Sequence, residues 1–277
     1  MLQQVVLQTA TPMVLDIDSV DPDELIIIKS ISGLDPADVT LFTGDFARDG
    51  GYYQGRRSSG RNPVFNLKLN PDYKNDVEVS DIREMIYSMF FEPDNAPEAN
   101  GNVPVGLQVT LIDDRKPDRY FVGYTEKLPS DIFSRETTGQ VSMLCVDPFL
   151  KSVDPAVATD PVGWVQTAIT YEGTARTGLE MTFKVKTATP TMTVDVNNQK
   201  MTLTKAFAVN DTVVINTVIG SRKITLNGVD IMAALSPTSM WIQLHKGVNT
   251  VKTYGGAAND GKVVMSGYTY RAAWWGI

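Results

Sequence analysis

Apolar and polar side chains alternate with period two through most of this chain, and that pattern restricts the fold more than any other feature. Phe65, Leu67 and Leu69 point one way while Asn66, Lys68 and Asn70 point the other, the signature of a half-buried strand. Val105, Leu107, Val109 and Leu111 share a face. Asp113 to Asp118 then reads as a turn, and Tyr120, Val122 and Tyr124 continue on a second strand, which predicts a hairpin. Val5–Leu7, Leu25–Ile31, Val39–Phe42 and Gln140–Val146 read as further strands, with Leu25–Ile31 buried on both faces at its start. Beyond residue 163 the pattern is almost purely β. Met181/Phe183/Val185, Met192/Val194/Val196, Met201/Leu203, Val213/Ile215 and Ile224/Leu226 alternate, with turns at the spacing of sandwiches and barrels. Asn227-Gly228 is the strongest tight-turn signal. Trp241–Leu244, Thr250–Tyr254, Val263–Met265 and Tyr268–Trp274 read as the remaining strands, and Asp230–Leu235 as a single helical turn.

One stretch follows the helical period instead. Ile82, Met85, Ile86, Met89 and Phe90 fall at i, i+3, i+4, i+7 and i+8, so they form one apolar stripe. Ser80 is placed as N-cap, Asp81 and Glu84 suit the positive end of the helix dipole, and Pro93 ends the element. The expected fold is therefore mainly β, with an α+β first domain.

Between Lys151 and Gly163 the alternation lapses at Asp154-Pro155 and Asp160-Pro161, which predicts a boundary: one domain over 1–155 and a β-sandwich over 156–277. Charge supports the division. Residues 1–150 carry 13 Lys+Arg against 24 Asp+Glu, or −11; residues 151–277 carry 12 against 8, or +4; the sum is the −7 of the whole chain. An acidic first half argues against a role in coating DNA. No apolar run is long enough to span a membrane, and the first residues lack the basic and apolar regions of a signal peptide.

The stretch Asp49-Gly50-Gly51-Tyr52-Tyr53-Gln54-Gly55-Arg56-Arg57-Ser58-Ser59-Gly60-Arg61-Asn62 breaks every period. Glycines, tyrosines and arginines together with no apolar stripe predict a long loop held out from the core. Backbone N–H groups and guanidinium forks there could bind an anion; docking on a neighbouring subunit accounts for the tyrosines as well.

Candidates for chemistry fail individually. Asp16 and Asp18 are spaced like calcium-loop ligands, but Val20 sits where a third ligand is needed and the distal Glu is missing. Asp113 and Asp114 are adjacent, so they read as a charged turn. Cys145, the single cysteine, lies in an apolar run, and His245, the single histidine, sits beside a Lys246-Gly247 turn. One His and one Cys far apart give neither a triad nor a zinc site. No catalytic residue, metal ligand or cofactor is expected. Tyr254 and Trp241 leave a carbohydrate-binding role open as the alternative to a structural one.

Several stretches in order resemble the distal tail protein family of long-tailed, non-contractile bacteriophages, the siphovirus-type tail component. They are Ile28–Pro36, the Asp49–Arg61 loop with the strand and helix after it, Val141–Pro148, Asn210–Asn216, Ile224–Gly228, Leu244–Val251 and Tyr270–Ile277. The resemblance implies a first domain of packed β-sheets, like tail-tube proteins, with one flanking helix and an extended loop or hairpin. It implies an outer sandwich, galectin-like or OB-like. It also implies a virion tail-tip location and a homo-hexameric ring joining the tail tube to the tail-tip hub, with receptor-binding or tape-measure proteins as further partners. The genome would pass through the ring without specific binding, helped by the acidic lumen that the first half would supply. On this reading Asp49, Gly50, Gly51, Tyr52, Tyr53, Arg56, Arg57 and Arg61 form the inter-subunit loop. Tyr270, Trp274 and Trp275 are interface candidates, since the last strand either completes the sandwich or returns to the first domain.

Overall fold

The computed structural model describes residues 2–9, 12–45, 51–91, 106–128, 136–257 and 260–277. They fall into two compact units, Met1–Val153 with Trp275–Ile277 and Asp154–Trp274. The second is thus an insertion into the first, and the chain passes between them twice.

The first unit contains β1 (Leu2–Gln8), β2 (Met13–Asp16), β3 (Ile26–Ser32), β4 (Val39–Asp45), β5 (Gly51–Ser58), β6 (Val64–Leu69), helix α1 (Val79–Phe91), β7 (Leu107–Asp113), β8 (Arg119–Lys127), β9 (Thr138–Leu144) and β10 (Leu150–Ser152). An antiparallel sheet runs in the order β2-β1-β7-β8-β9-β6-β3, and β10 adds to β8. Ile17, just after β2, forms a parallel bridge with Ile28 of β3, and the Asp18 N–H donates to the Ile28 carbonyl at 2.8 Å. The two edges therefore meet and the sheet curls into a roll, which removes most of the free strand edge that would otherwise invite aggregation. Paired residues share a face, so Leu7, Val109 and Phe121 line one side together, as do Phe65 and Val141; all five are buried.

Helix α1 lays Ile82, Ile86, Met89 and Phe90 into this core. Phe90 meets Phe65 at 5.9 Å between ring centroids, and Ile86 lies among Leu67, Leu69 and Val141. The helix begins at Val79, earlier than the stripe predicts, because its start is fixed from position N3: the Asp81 carboxylate accepts the Glu78 N–H at 2.8 Å. Ser80 is therefore inside the helix and not its cap. Met85, counted in the stripe, is exposed at its margin. Pro93 lies outside the described residues.

The second unit contains β11 (Ala156–Trp164), β12 (Gln166–Tyr171), β13 (Glu180–Val185), β14 (Thr189–Val196), β15 (Gln199–Phe207), β16 (Thr212–Asn216), β17 (Lys223–Leu226), β18 (Val229–Asp230), β19 (Gly247–Tyr254), β20 (Val263–Tyr270) and β21 (Ala273–Trp274). Two antiparallel sheets, β11-β20-β13-β16-β17-β18 and β12-β19-β14-β15, face each other across a core that includes Phe183, Met181, Ile215, Met192, Leu203 and Val251. Asn227 and Gly228 both take positive φ, 50° and 85°, as a tight hairpin turn requires, and Met232–Ala234 forms the single helical turn expected there.

Two local readings differ. The 156–164 stretch, where alternation lapses, is strand β11; as an edge strand it tolerates Pro161 and a register shift between Thr159 and Trp164. Trp241–Gln243, expected as a strand, lies outside the strands. The Gln199 side chain takes the place of a neighbouring backbone: its amide donates to the Gln243 carbonyl at 3.0 Å and accepts the Gln243 N–H at 3.0 Å.

Candidate assembly surface

Part of the sequence that reads as a long glycine-rich loop is strand β5, which pairs in a two-stranded hairpin with β4, the strand expected at Val39–Phe42. Thr40 pairs with Arg57, Leu41 with Arg56, and Phe42 with Gly55. The register then shifts by one residue, and Thr43 faces Tyr53 and Gly44 faces Tyr52. The bulge absorbs Gln54, which is why period two is invisible in β5. Asp49 and Gly50 lie outside the described residues. Gly51 pairs with Asp45 at the far end of the ribbon.

A two-stranded ribbon buries little by itself and is marginal in water. This one exposes Val39, Leu41, Phe42, Tyr52 and Tyr53, with Leu41 and Tyr53 each 62% exposed. The register divides its side chains between two faces. Leu41, Tyr53 and Arg56 lie on one; Thr40, Phe42, Gly44, Tyr52, Gly55 and Arg57 lie on the other. On the second face Tyr52 lies over Gly44, where a Cβ would sit 2.6 Å from the ring, and its hydroxyl accepts a hydrogen bond from the Gln54 amide at 3.1 Å. Gly55 is different. A Cβ there would meet nothing within 4 Å among the described residues, so their packing does not explain the glycine.

The base of the hairpin is tied down by residues 275–277. The Arg56 guanidinium lies over the Trp275 ring at 5.6 Å, and Phe149 meets the same indole edge-on at 4.9 Å. Beneath them is Arg61. It is only 2% exposed. Its guanidinium donates to Leu34 O at 2.8 Å, to Trp275 O at 2.5 Å, and twice to Pro148 O, at 2.8 and 3.1 Å. Arg61 is thus held inside its own chain and stands apart from the exposed Tyr52, Tyr53, Arg56 and Arg57. Burial draws its pKa down, opposed by Cys145, Asp35 and Asp147. Arg119 supplies a second tie, donating to Gly276 O at 3.1 Å. The main chain follows the same fit: a Cβ on Gly276 would sit 3.0 Å from Leu34 O.

Sequence reasoning missed Arg119 and Phe149 because neither stands in a motif; each is defined by a partner more than 100 residues away, the Gly276 carbonyl for one and the Trp275 indole for the other. Trp275 was marked, and the structure places it in the first unit. Tyr270, also marked, is part of the sandwich: it stacks on Tyr268, meets Tyr171 at 5.7 Å and donates to Thr170 O at 3.1 Å. Trp274 is buried. So the last long strand completes the sandwich while the residues after Trp274 join the first unit.

The other marked residues show no assembled chemistry. Cys145 is fully buried, and burial pushes its thiol up to about 12. His245 lies at the turn whose shape is set by buried Asn249, which accepts the His245 N–H at 3.0 Å and donates to its carbonyl at 2.7 Å. Asp18 pairs with Lys29 at 2.7 Å, and Asp113 accepts the Arg115 N–H, a charged turn as expected. Among the described residues no His, Cys, Asp and Glu cluster could hold a metal ion. Trp241 is partly buried against the sandwich core, with the Arg222 guanidinium over its ring at 4.9 Å.

Residues 172–274 match the family described as siphovirus-type tail component, C-terminal domain. The whole fold is similar to the crystal structure of the SPP1 Dit protein, described as a paradigm of the hub adsorption apparatus in phages infecting Gram-positive hosts. The two share 15% identity at a TM-score of 0.63, covering 97% of this chain and 98% of that one. A chain of the phage p2 baseplate in its activated conformation with strontium aligns over 99% of this chain and 98% of its own, at 8% identity and a TM-score of 0.48. No curated protein matches the sequence. The resemblance drawn from sequence motifs therefore holds in the sandwich by family and over the full length by fold.

Proposed function

We propose that this chain is a distal tail protein: a structural, non-enzymatic adaptor at the tail tip of a siphovirus-type phage. It assembles into a hexameric ring that joins the tail tube to the tail-tip hub. The family match over 172–274 and the full-length likeness to SPP1 Dit support the tail-tip role. The ring is carried by one observation, the β4–β5 hairpin. It exposes five large apolar side chains on a ribbon too slight to stand alone, and it is pinned at its base by Trp275, Phe149 and Arg61. Rings need heterologous contacts, one patch meeting a different patch on the next subunit. A ribbon tied at its base, with exposed aromatic residues, is suited to that. The acidic first half lines the channel and lets DNA phosphates slide past.

Hydrogen exchange tests the hairpin's role. Amides of 39–45 and 51–58 are expected to exchange much more slowly in the assembled form than in the monomer. Equal rates in both states would remove the hairpin from the contact.

A further inference from the structure

We propose that the Phe42–Gly55–Arg57 face of the hairpin grips the acidic loop between β2 and β3, residues 18–24, of a second copy of this chain. The inference rests on the hairpin being a ring contact and names what it holds.

The first ground is placement. Strand β3 runs from Ile26 to Ser32. The acidic loop enters it at Ile26, and the Gly33 turn leaves Ser32 toward the hairpin. The two features therefore depart from opposite ends of one strand, roughly 20 Å apart at ~3.3 Å per residue. Two different patches set apart on one chain are what head-to-tail association requires.

The second ground is shape. Val20 is 96% exposed in the loop, the most exposed large apolar residue among those described. At that exposure the side chain contributes almost nothing to packing among the described residues. On the hairpin, Gly55 leaves a gap beside exposed Phe42. Its φ lies outside the left-handed region, so no turn requires glycine, and glycine inside a strand often marks close approach by another backbone or ligand. A small apolar side chain fits that notch.

The third ground is charge. Arg57 lies on the same face as Gly55, and Asp21 and Asp23 follow Val20 in the loop. Among the described residues no ion pair engages Arg57, Asp21 or Asp23, whereas Asp18 of the same loop is held by Lys29. Seating Val20 beside Phe42 brings Asp21 and Asp23 to Arg57. An apolar contact rimmed by opposite charge is the usual anatomy of a specific interface.

Two experiments on the full chain test this. Val20→Cys and Thr40→Cys in one chain place a thiol on each patch, since Thr40 shares the face of Gly55 and leaves its notch open. Both sites are exposed, and buried Cys145 does not compete. Oxidation is expected to give covalent dimers and higher multiples that collapse on reduction, while either single variant stops at pairs. No linkage at any protein concentration would overturn the proposal. Charge exchange gives the second arm. Arg57→Glu, and Asp21→Arg with Asp23→Arg, are each expected to weaken self-association by about tenfold or more, and the combined chain to recover it. If Arg57→Glu weakens association and the combined chain does not recover, the hairpin grips another surface; the inference falls and the ring reading stands. If Arg57→Glu and Phe42→Ser both leave association unchanged, the two fall together.

Discussion

Arg61 shows how far a residue's neighbourhood in sequence can mislead. It stands among Gly60, Ser59, Arg57 and Arg56, which are exposed, yet all three nitrogens of its fork donate to carbonyls, those of residues 34, 148 and 275. Replacing it by Ala leaves those buried acceptors unpaired and is expected to destabilise the first unit by about 3 kcal/mol or more. Arg61→Lys keeps the charge but not the fork, so it should recover only part of the loss. Hydrogen exchange of β6 and β9 against urea reads both, since it reports on the first unit alone. Glu24 makes a pH-dependent prediction. A hydrogen bond shared with Asp16, then burial, hold its carboxyl above the ordinary 4.5. An acid with a raised folded pKa contributes stability that is fully present below pH 4.5 and lost as pH rises through the raised value. Glu24→Gln should therefore stabilise the first unit near neutral pH and make little difference below pH 4; a constant difference across that range would remove the shared-proton account.

The elements were legible wherever packing is one-sided. The sandwich strands, the Asn227-Gly228 turn and α1 all follow from period and turn chemistry, because one face is buried and the other solvated. Of the hairpin, Val39–Phe42 was legible as a strand but β5 was not. Both its faces are exposed, so no period was imposed, and the bulge at Gln54 shifts what alternation remains. Its two inner glycines now separate by experiment. Gly44→Val puts side-chain atoms where the Tyr52 ring lies and should displace that ring, loosening the ribbon. Gly55→Val meets nothing in the chain, so the monomer should be as stable as before or slightly more so, since glycine in a strand costs about 0.5–1 kcal/mol. Assembly, in contrast, should suffer. Trp275→Ala removes the ring on which Arg56 and Phe149 rest, and faster exchange is expected through 39–45 and 51–58 with the sandwich unchanged. Unchanged exchange in the hairpin would show that it is anchored elsewhere.

At the scale of the molecule, the sequence announced two β-rich parts of opposite charge, but not that one is inserted into the other. Residues 275–277 return to the first unit through carbonyl groups, which every residue has, and so carry little side-chain signature beyond Trp275 itself. The central claim is that this chain is a ring-forming tail-tip adaptor built on a hairpin contact. Light scattering on a sizing column, with negative-stain imaging of the same fractions, tests it most directly. The account predicts a six-fold ring with an open centre that dissociates to monomers in the Phe42→Ser, Tyr53→Ser variant. A two-fold dimer, or a monomer that persists to the highest attainable concentration, would contradict it.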